Sequence, residues 1–156
     1  MTSTKNPRVA LADHPREQLG AVIRVEERMQ LAPSVRRLVK LRASLVNGCS
    51  FYIDMHWAEA RAAGEPEVRL AQLAAWADSP YYDDPRERAA LALTDAMTHV
   101  SVMDVPDDVW AEAERHFAAD ELAELVMAIG AINLWNRVEI ATRALPGGYG
   151  PAAEAA

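Results

Sequence analysis

Three side chains that can exchange protons lie on one predicted helix, in the segment between Asn47 and His56. Cys49 is the only cysteine of the chain, and Tyr52 and His56 follow it in the same segment. On an α-helix, positions i, i+3 and i+7 fall on one side, so the thiol, the phenol and the imidazole are expected to face the same way. A thiolate is a nucleophile, and an imidazole can take or give a proton near neutral pH. Any chemistry of this protein is therefore predicted to occur at this segment.

Cys49 lies at the predicted start of its helix, and this position bears on the reactivity of its thiol. The free N–H groups and partial positive charge of a helix N-terminus lower a thiol pKa and favour the thiolate. His56 could then manage the proton directly, through Tyr52 or through a water molecule. A free cysteine is also among the most buried residue types and often acts as a small hydrophobic side chain. The residue types alone leave the catalytic and the structural interpretation open.

The elements that must position these residues are predicted to be helices throughout. Ala, Leu, Glu and Arg dominate the sequence, and long β-branched alternation is missing. Helices are predicted to start near Pro15, Pro33, Cys49 or Ser50, Pro66, Asp84, Asp104 and Asp120. Short connections between them predict an all-α, compact helical bundle. We expect residues 1–156 to form a single domain with a frayed tail over 146–156.

Three predictions concern how these helices pack. The first helix is expected to bury Leu19, Val22, Ile23 and Met29. The helix from Pro66 is expected to carry Trp76 as one of its apolar residues. Asn133, Asn136 and Arg137 interrupt the apolar last helix, and we expect them to satisfy buried backbone groups or to contact a neighbouring subunit rather than bind substrate.

Charge and hydropathy exclude several classes of protein. The chain of 156 residues has a formal net charge of -7, which argues against nucleic acid and anionic membrane surfaces as partners. No apolar run approaches the roughly 20 residues that span a bilayer, and residues 1–8 do not suggest a signal peptide. A lone cysteine cannot form an internal disulfide, so a cytoplasmic location is expected. No histidines or carboxylates have convincing metal spacing, and neither a metal nor another cofactor is expected.

An ordered series of short motifs resembles one protein family. The runs are Leu38-Val39-Lys40-Leu41-Arg42-Ala43-Ser44, Asn47-Gly48-Cys49, Ile53-Asp54-Met55-His56, Ser79-Pro80, Glu87-Arg88-Ala89-Ala90-Leu91-Ala92, Ile132-Asn133-Leu134-Trp135-Asn136-Arg137 and Ala141-Thr142-Arg143. Together they resemble the alkylhydroperoxidase D-like (AhpD-like) branch of the carboxymuconolactone decarboxylase family, over about residues 13–145. The resemblance implies the helical bundle of that family. It also implies a homo-oligomer, as a dimer, trimer or hexamer.

The resemblance also implies roles for four residues. Redox-active members of this branch open the helix with Cys-x-x-Cys, place a histidine four residues later, and carry a glutamate on the preceding helix. Cys49 and His56 match the first cysteine and the histidine, whereas Tyr52 and Arg37 replace the second cysteine and the glutamate. A single-cysteine cycle remains possible, in which the Cys49 thiolate attacks a hydroperoxide and an external thiol restores it. Arg37, if it points inward, would favour a thiolate or another small anion beside Tyr52 and His56.

Three functions follow as alternatives. The leading one is an alkylhydroperoxidase-like oxidoreductase with Cys49, Tyr52 and His56 as catalytic residues and Arg37 as a substrate-binding residue. The second is a non-redox lyase or isomerase of the decarboxylase kind, which acts on a small carboxylate through His56 as acid and base and Arg37 as anion anchor. The third is a catalytically silent oligomer that binds a ligand or a partner. In that case Cys49 should be closed to solvent and Arg37 should point outward.

Overall fold

The computed structural model of the protein describes residues 6–9, 13 and 17–147. These residues form seven α-helices and a 3₁₀ helix, and they contain no β-strand. The helices are α1 (Glu17–Glu27), α2 (Pro33–Asn47), α3 (Ser50–Ala62), α4 (Glu67–Gln72), α5 (Pro85–Thr98), α6 (Asp107–His116) and α7 (Ala119–Thr142), with the 3₁₀ helix Leu73–Asp78 after α4. The all-α architecture is confirmed. The predicted helix start at Pro15 and most of the predicted frayed tail, residues 148–156, lie outside the described residues.

Proline and glycine set several helix boundaries where the sequence predicts them. Pro33 begins α2, where its missing N–H is not needed, and Gly48 ends it in the left-handed conformation with φ 66°. Asp84 caps α5 by accepting a hydrogen bond of 2.9 Å from the backbone N–H of Arg86. The prediction that Asp120 caps α7 is wrong. Ala118 holds that position, and its N–H donates to the Glu121 carboxylate at 3.3 Å.

The helix predicted to run from Pro66 through Trp76 is interrupted. Its α-helical part ends at Gln72, and a 3₁₀ helix with a non-helical residue, Ala75 (φ -119°, ψ 34°), continues to Asp78. Trp76 is nevertheless buried, and its indole N–H donates to Asp95 on α5 at 3.0 Å. The tighter turn therefore serves to bring this indole onto α5.

Helix α2 is central and packs against α3, α5 and α7. Two large apolar clusters lie on either side of it, one shared with α5, α6 and α7 and the other with α3, α4 and α5. A third and smaller cluster lies beneath the start of α3 and contains Ala43, Cys49, Tyr52, Ile132 and Trp135. The sulfur of Cys49 is therefore supported by side chains of α2, α3 and α7.

Helix α1 differs from its prediction. None of its residues is buried, and the side chain of Ile23 is 46% exposed. Leu19 and Val22 are partly buried against the small cluster, and Met29, which follows the helix, is buried. The reason is that α1 rests on the surface of α7 rather than between two layers, so only one edge of its apolar face is covered.

Candidate active site

The sharp reversal between α2 and α3 places Cys49. Gly48 ends α2, and the backbone N–H of Cys49 still donates to the Ser44 carbonyl at 3.0 Å. The Cys49 carbonyl in turn accepts the N–H of Ile53 at 2.9 Å, which makes Cys49 the N-cap residue of α3. Only 2% of the residue is exposed, so the thiol is held in the wall of the fold and not on its surface.

Cys49 lies on the wall of a cavity of about 380 Å³, which we call the thiol cavity. The start of α3, the end of α7, the segment after α7 and Arg8 enclose it. Its lining includes Arg8, Cys49, Phe51, Glu139, Arg143 and Leu145. Arg8 is fastened to the end of α7, because its backbone N–H donates to the Thr142 carbonyl at 2.8 Å. Cys49 therefore lines a cavity whose walls also include two arginines and one glutamate.

Burial has a larger effect on the pKa of the Cys49 thiol than the helix N-terminus has. Burial raises the pKa of Cys49 above its ordinary value of 9.0, and the negative charge of Glu139 raises it further. The backbone N–H groups of Tyr52 and Phe51 and the amide of Asn136 act in the opposite direction. The expectation of a lowered pKa is therefore wrong. At neutral pH the group is a thiol, and a reaction as a thiolate requires a nearby group that accepts its proton.

A layer of asparagine side chains joins the end of α2, next to Cys49, to α7. Asn47, at the end of α2, donates to the side-chain oxygens of Asn133 and Asn136 on α7 at 3.0 and 2.9 Å. Asn136 is fully buried and donates to the Ser44 hydroxyl at 3.1 Å. These bonds fix the position of α7 relative to the reversal that carries Cys49. Of the three residues predicted to satisfy backbone groups, Asn133 donates to the Ile129 carbonyl at 3.0 Å and Arg137 donates to the Asn133 carbonyl at 2.9 Å, whereas Asn136 bonds side chains.

His56 and Tyr52 lie deeper along α3. The two rings stack with centroids 5.3 Å apart and planes at 20°, and His56 is 2% exposed. Its Nδ1 lies 2.7 Å from a carboxylate oxygen of Glu59. The hydrogen bond from His56 holds the pKa of Glu59 below its usual value, against the opposing effect of burial. Glu59 is therefore ionised and accepts, so Nδ1 carries the proton. Among the residues that the structure describes, none bonds His56 Nε2.

The structure shows no direct contact between His56 and Cys49 among the described residues. Seven residues of α-helix rise about 10 Å along the axis, whereas a hydrogen bond joins atoms about 3 Å apart. His56 also does not line the thiol cavity, and its protonated nitrogen is directed at Glu59. Tyr52 lies between them along this side of α3.

Arg37 lies in a different cavity from Cys49. It lines a space of about 580 Å³, the Arg37 cavity, together with Arg36, Lys40, Glu26 and Glu59. Lys40 pairs with Glu26 at 2.8 Å, whereas within the described part of the chain Arg37 has no hydrogen bond or ion pair. The structure therefore places Arg37 on the same cavity as Glu59, the partner of His56, and not on the thiol cavity.

Glu59 and Glu139 are absent from the site residues predicted from the sequence, as are Arg8 and Arg143. Glu59 follows His56 by three residues, and the i, i+3 spacing on one helix could have revealed the pair. Glu139 lies 90 positions from Cys49 along the chain, and no local spacing could have indicated that they share a cavity. Within residues 6–9, 13 and 17–147, no three His, Cys, Asp or Glu side chains are grouped to hold a metal ion. None of the helices described there is both long and apolar enough to cross a bilayer.

Comparison with known proteins identifies the family and the fold of the chain. The sequence model of the carboxymuconolactone decarboxylase family matches residues 15–96. The uncharacterized protein YdfG of Bacillus subtilis is 41% identical over 108 residues, which are 69% of this chain and 73% of that protein.

Solved structures also resemble the chain over most of its length. One, from Agrobacterium tumefaciens, is of unknown function and is described as a candidate antioxidant defence protein AhpD. It is 36% identical with a TM-score of 0.86, over 91% of this chain and 99% of that one. An uncharacterized peroxidase-related protein from Silicibacter is 22% identical with a TM-score of 0.74, over 85% and 72% of the two chains, and shares the fold. The chain therefore belongs to the carboxymuconolactone decarboxylase family, and its helical fold is that of the AhpD-like proteins.

Proposed function

We propose that the protein reduces hydroperoxides with Cys49 as its single redox residue. The observation that carries the proposal is the position of the Cys49 thiol on the wall of a cavity that also holds Arg8 and Arg143. The names of its relatives, antioxidant defence protein and peroxidase-related protein, point to the same class of reaction. A cavity of about 380 Å³ lies within the range of small-molecule sites, so a compact organic hydroperoxide fits.

The reaction needs no second cysteine. The Cys49 thiolate attacks the distal oxygen of the hydroperoxide, so an S–O bond forms while the O–O bond breaks. Cys49 becomes a sulfenic acid, and the peroxide leaves as an alkoxide that takes up a proton to give the alcohol. Two molecules of an external thiol then restore Cys49, with release of water and of their own disulfide. A cytoplasmic location belongs to this proposal, because reducing thiols are abundant there.

The cavity walls suit such a substrate. The guanidinium groups of Arg8 and Arg143 can stabilise the negative charge that develops on the leaving oxygen. Phe51 and Leu145 supply apolar surface for the alkyl group. Tyr52, which packs beside Cys49 in the small apolar cluster, fills the space at the position of the missing second sulfur.

The test compares wild type with Cys49→Ser. With a small thiol as reductant, wild type should consume an organic hydroperoxide and the variant should not. A reagent specific for sulfenic acids should label Cys49 after one equivalent of peroxide. Equal consumption by the two proteins would remove the proposal. If Cys49 also resists thiol reagents in the folded protein, the silent binding protein becomes the better account.

A second candidate is acid–base chemistry on a small carboxylate at His56. The observation that favours it is that Glu59, on the wall of the Arg37 cavity, fixes one nitrogen of His56 and leaves Nε2 unbonded among the described residues. Arg37, in the same cavity, would hold the carboxylate. Turnover in this mechanism should survive Cys49→Ser and be lost in both His56→Ala and Arg37→Ala. The opposite pattern supports the thiol mechanism.

A further inference from the structure

We infer that Glu139 is the proton partner of Cys49, taking the proton of the thiol and returning it to the leaving alkoxide. The inference rests on the proposed function, because the alkoxide is the product of hydroperoxide cleavage. It adds a proton-transfer residue on α7, a helix that contributes none of the residues expected from the sequence to be catalytic.

The placement of α7 brings Glu139 to the thiol. Glu139 and Cys49 line the same cavity, and Asn136, which lies one turn before Glu139, interacts with the sulfur. One side of the end of α7 thus faces the start of α3, and the buried bond from Asn136 to Ser44 fixes this arrangement. Since i and i+3 lie on the same side of a helix, the Glu139 side chain is directed into the space next to the thiol.

The carboxylate of Glu139 has one oxygen free to accept a proton. The Thr142 hydroxyl lies 3.4 Å from Oε2, whereas within the described ranges Oε1 has no hydrogen-bond partner. Burial raises the pKa of Glu139 above its usual value, and the hydrogen bond from Thr142 lowers it by a smaller amount. A carboxyl whose pKa is raised towards neutrality is better able both to take and to give a proton.

The other titratable groups near the thiol are poorly placed for this role. Arg8 and Arg143, which also line the thiol cavity, carry permanent positive charges and accept no proton. Asp54 on α3 is engaged with the backbone N–H of Gly147 at 2.9 Å and does not line the cavity. His56 is two turns away and bonds Glu59. Among the described residues that line the cavity, Glu139 is the carboxylate.

The step balances without a further reactant. The Glu139 carboxylate takes the proton of the Cys49 thiol, and the thiolate attacks the distal peroxide oxygen. The O–O bond then breaks, and the protonated Glu139 gives its proton to the alkoxide to form the alcohol. At the end of the step Glu139 is again a carboxylate and Cys49 is a sulfenic acid. The site is ready for the next cycle once two molecules of the external thiol have reduced Cys49.

The test is Glu139→Gln, measured in two ways. Loss of the negative charge should lower the thiol pKa, so alkylation of Cys49 by iodoacetamide at pH 8 should become about twofold to tenfold faster. Loss of the proton carrier should slow peroxide consumption by about 10²-fold at neutral pH. A purely structural effect, such as a more open cavity, would move both rates in the same direction.

Two further variants complete the experiment. Glu124→Gln changes a glutamate of the same helix outside the thiol cavity and should leave both rates unchanged. Glu139→Asp retains a carboxylate and should consume peroxide faster than Glu139→Gln. An alkylation rate for Glu139→Gln equal to that of wild type would overturn the inference. If wild type shows no Cys49-dependent peroxide consumption, the proposed function fails, and the alkylation rates still decide whether Glu139 controls the thiol proton.

Discussion

At the scale of single residues, two opposing effects act on the thiol of Cys49. The start of α3 supplies N–H groups that favour a thiolate, while burial and the Glu139 charge favour the neutral thiol. The balance raises the pKa of Cys49 above 9.0. Alkylation of Cys49 by iodoacetamide should therefore rise about tenfold per pH unit from pH 7 to 9 and show no plateau in that range. Mass spectrometry of quenched samples measures this, and a plateau below pH 8 would show that the helix N-terminus prevails.

The His56–Glu59 pair predicts a dependence of stability on acid. The pKa of Glu59 is lower in the folded state than its ordinary value of 4.5, chiefly because of the hydrogen bond from His56. A lowered folded pKa contributes stability that is present above the unfolded value and is lost as the pH falls through the folded value. The Glu59 side chain is 51% exposed, so solvent screens the effect and it should be modest.

Glu59→Gln should therefore unfold at a lower urea concentration than wild type at pH 6, and the difference should shrink as the pH falls to 3. Urea titrations followed by circular dichroism at several pH values measure it. Glu27→Gln is the matched control, because Glu27 is exposed and, among the described residues, has no hydrogen bond or ion pair. A difference that stays constant from pH 6 to 3 would contradict the assignment of the proton to His56 Nδ1.

How much of the site the sequence predicts depends on distance along the chain. Cys49, Tyr52 and His56 lie on one helix, so their spacing already places them on one side of it. Arg37 lies on another helix, and its separation from the thiol depends on how α2 and α3 pack. The same holds for Glu139, which only the docking of α7 brings to Cys49. Spacing within one helix is local information, whereas the meeting of two helices is decided by the whole core.

At the scale of elements, the amide layer between α2 and α7 is the contact that supports the site. Asn136 is fully buried and joins Asn47 at 2.9 Å and Ser44 at 3.1 Å. Asn136→Ala removes both bonds, but Asn47 still donates to Asn133 and the Ser44 hydroxyl still donates to the Lys40 carbonyl, so the free energy of unfolding should fall by about 1–2 kcal/mol. Urea denaturation measures the loss. Leu134→Ala, at an exposed position of the same helix, should change it by less than about 1 kcal/mol.

The elements themselves are predicted well where proline, glycine or a capping carboxylate marks them, as at Pro33, Gly48 and Asp84. They are predicted less well where only packing decides. Nothing in the local pattern distinguishes the 3₁₀ helix around Trp76 from a continued α-helix, whereas the folded chain combines the departure at Ala75 with a bond from that indole to Asp95 on α5. Likewise, the apolar face of α1 predicts that this face packs against another surface, but it does not identify that surface.

At the scale of the whole molecule, α1 and α7 both carry exposed apolar side chains. Ile23 and Val25 on α1 are 46% and 44% exposed, and Met127 on α7 is 53% exposed. Val25 and Met127 also line a shallow, largely apolar depression together with Met29. Such surface is costly in water, and a second copy of the chain that covers it would explain why an amphipathic helix lies on the outside of the fold.

The homo-oligomer expected from the family resemblance therefore stays a proposal, with α1 and α7 as its contact surface. Size-exclusion chromatography with light scattering should give a mass above that of one chain, and Val25→Asp or Met127→Glu should shift it towards the monomer, because a buried unpaired carboxylate opposes association. Val102→Asp is the control, since Val102 is 85% exposed in the connection between α5 and α6. A wild-type mass of 17.1 kDa at all concentrations would contradict the proposal, and α1 would then be a solvent-exposed helix held only by its edge on α7.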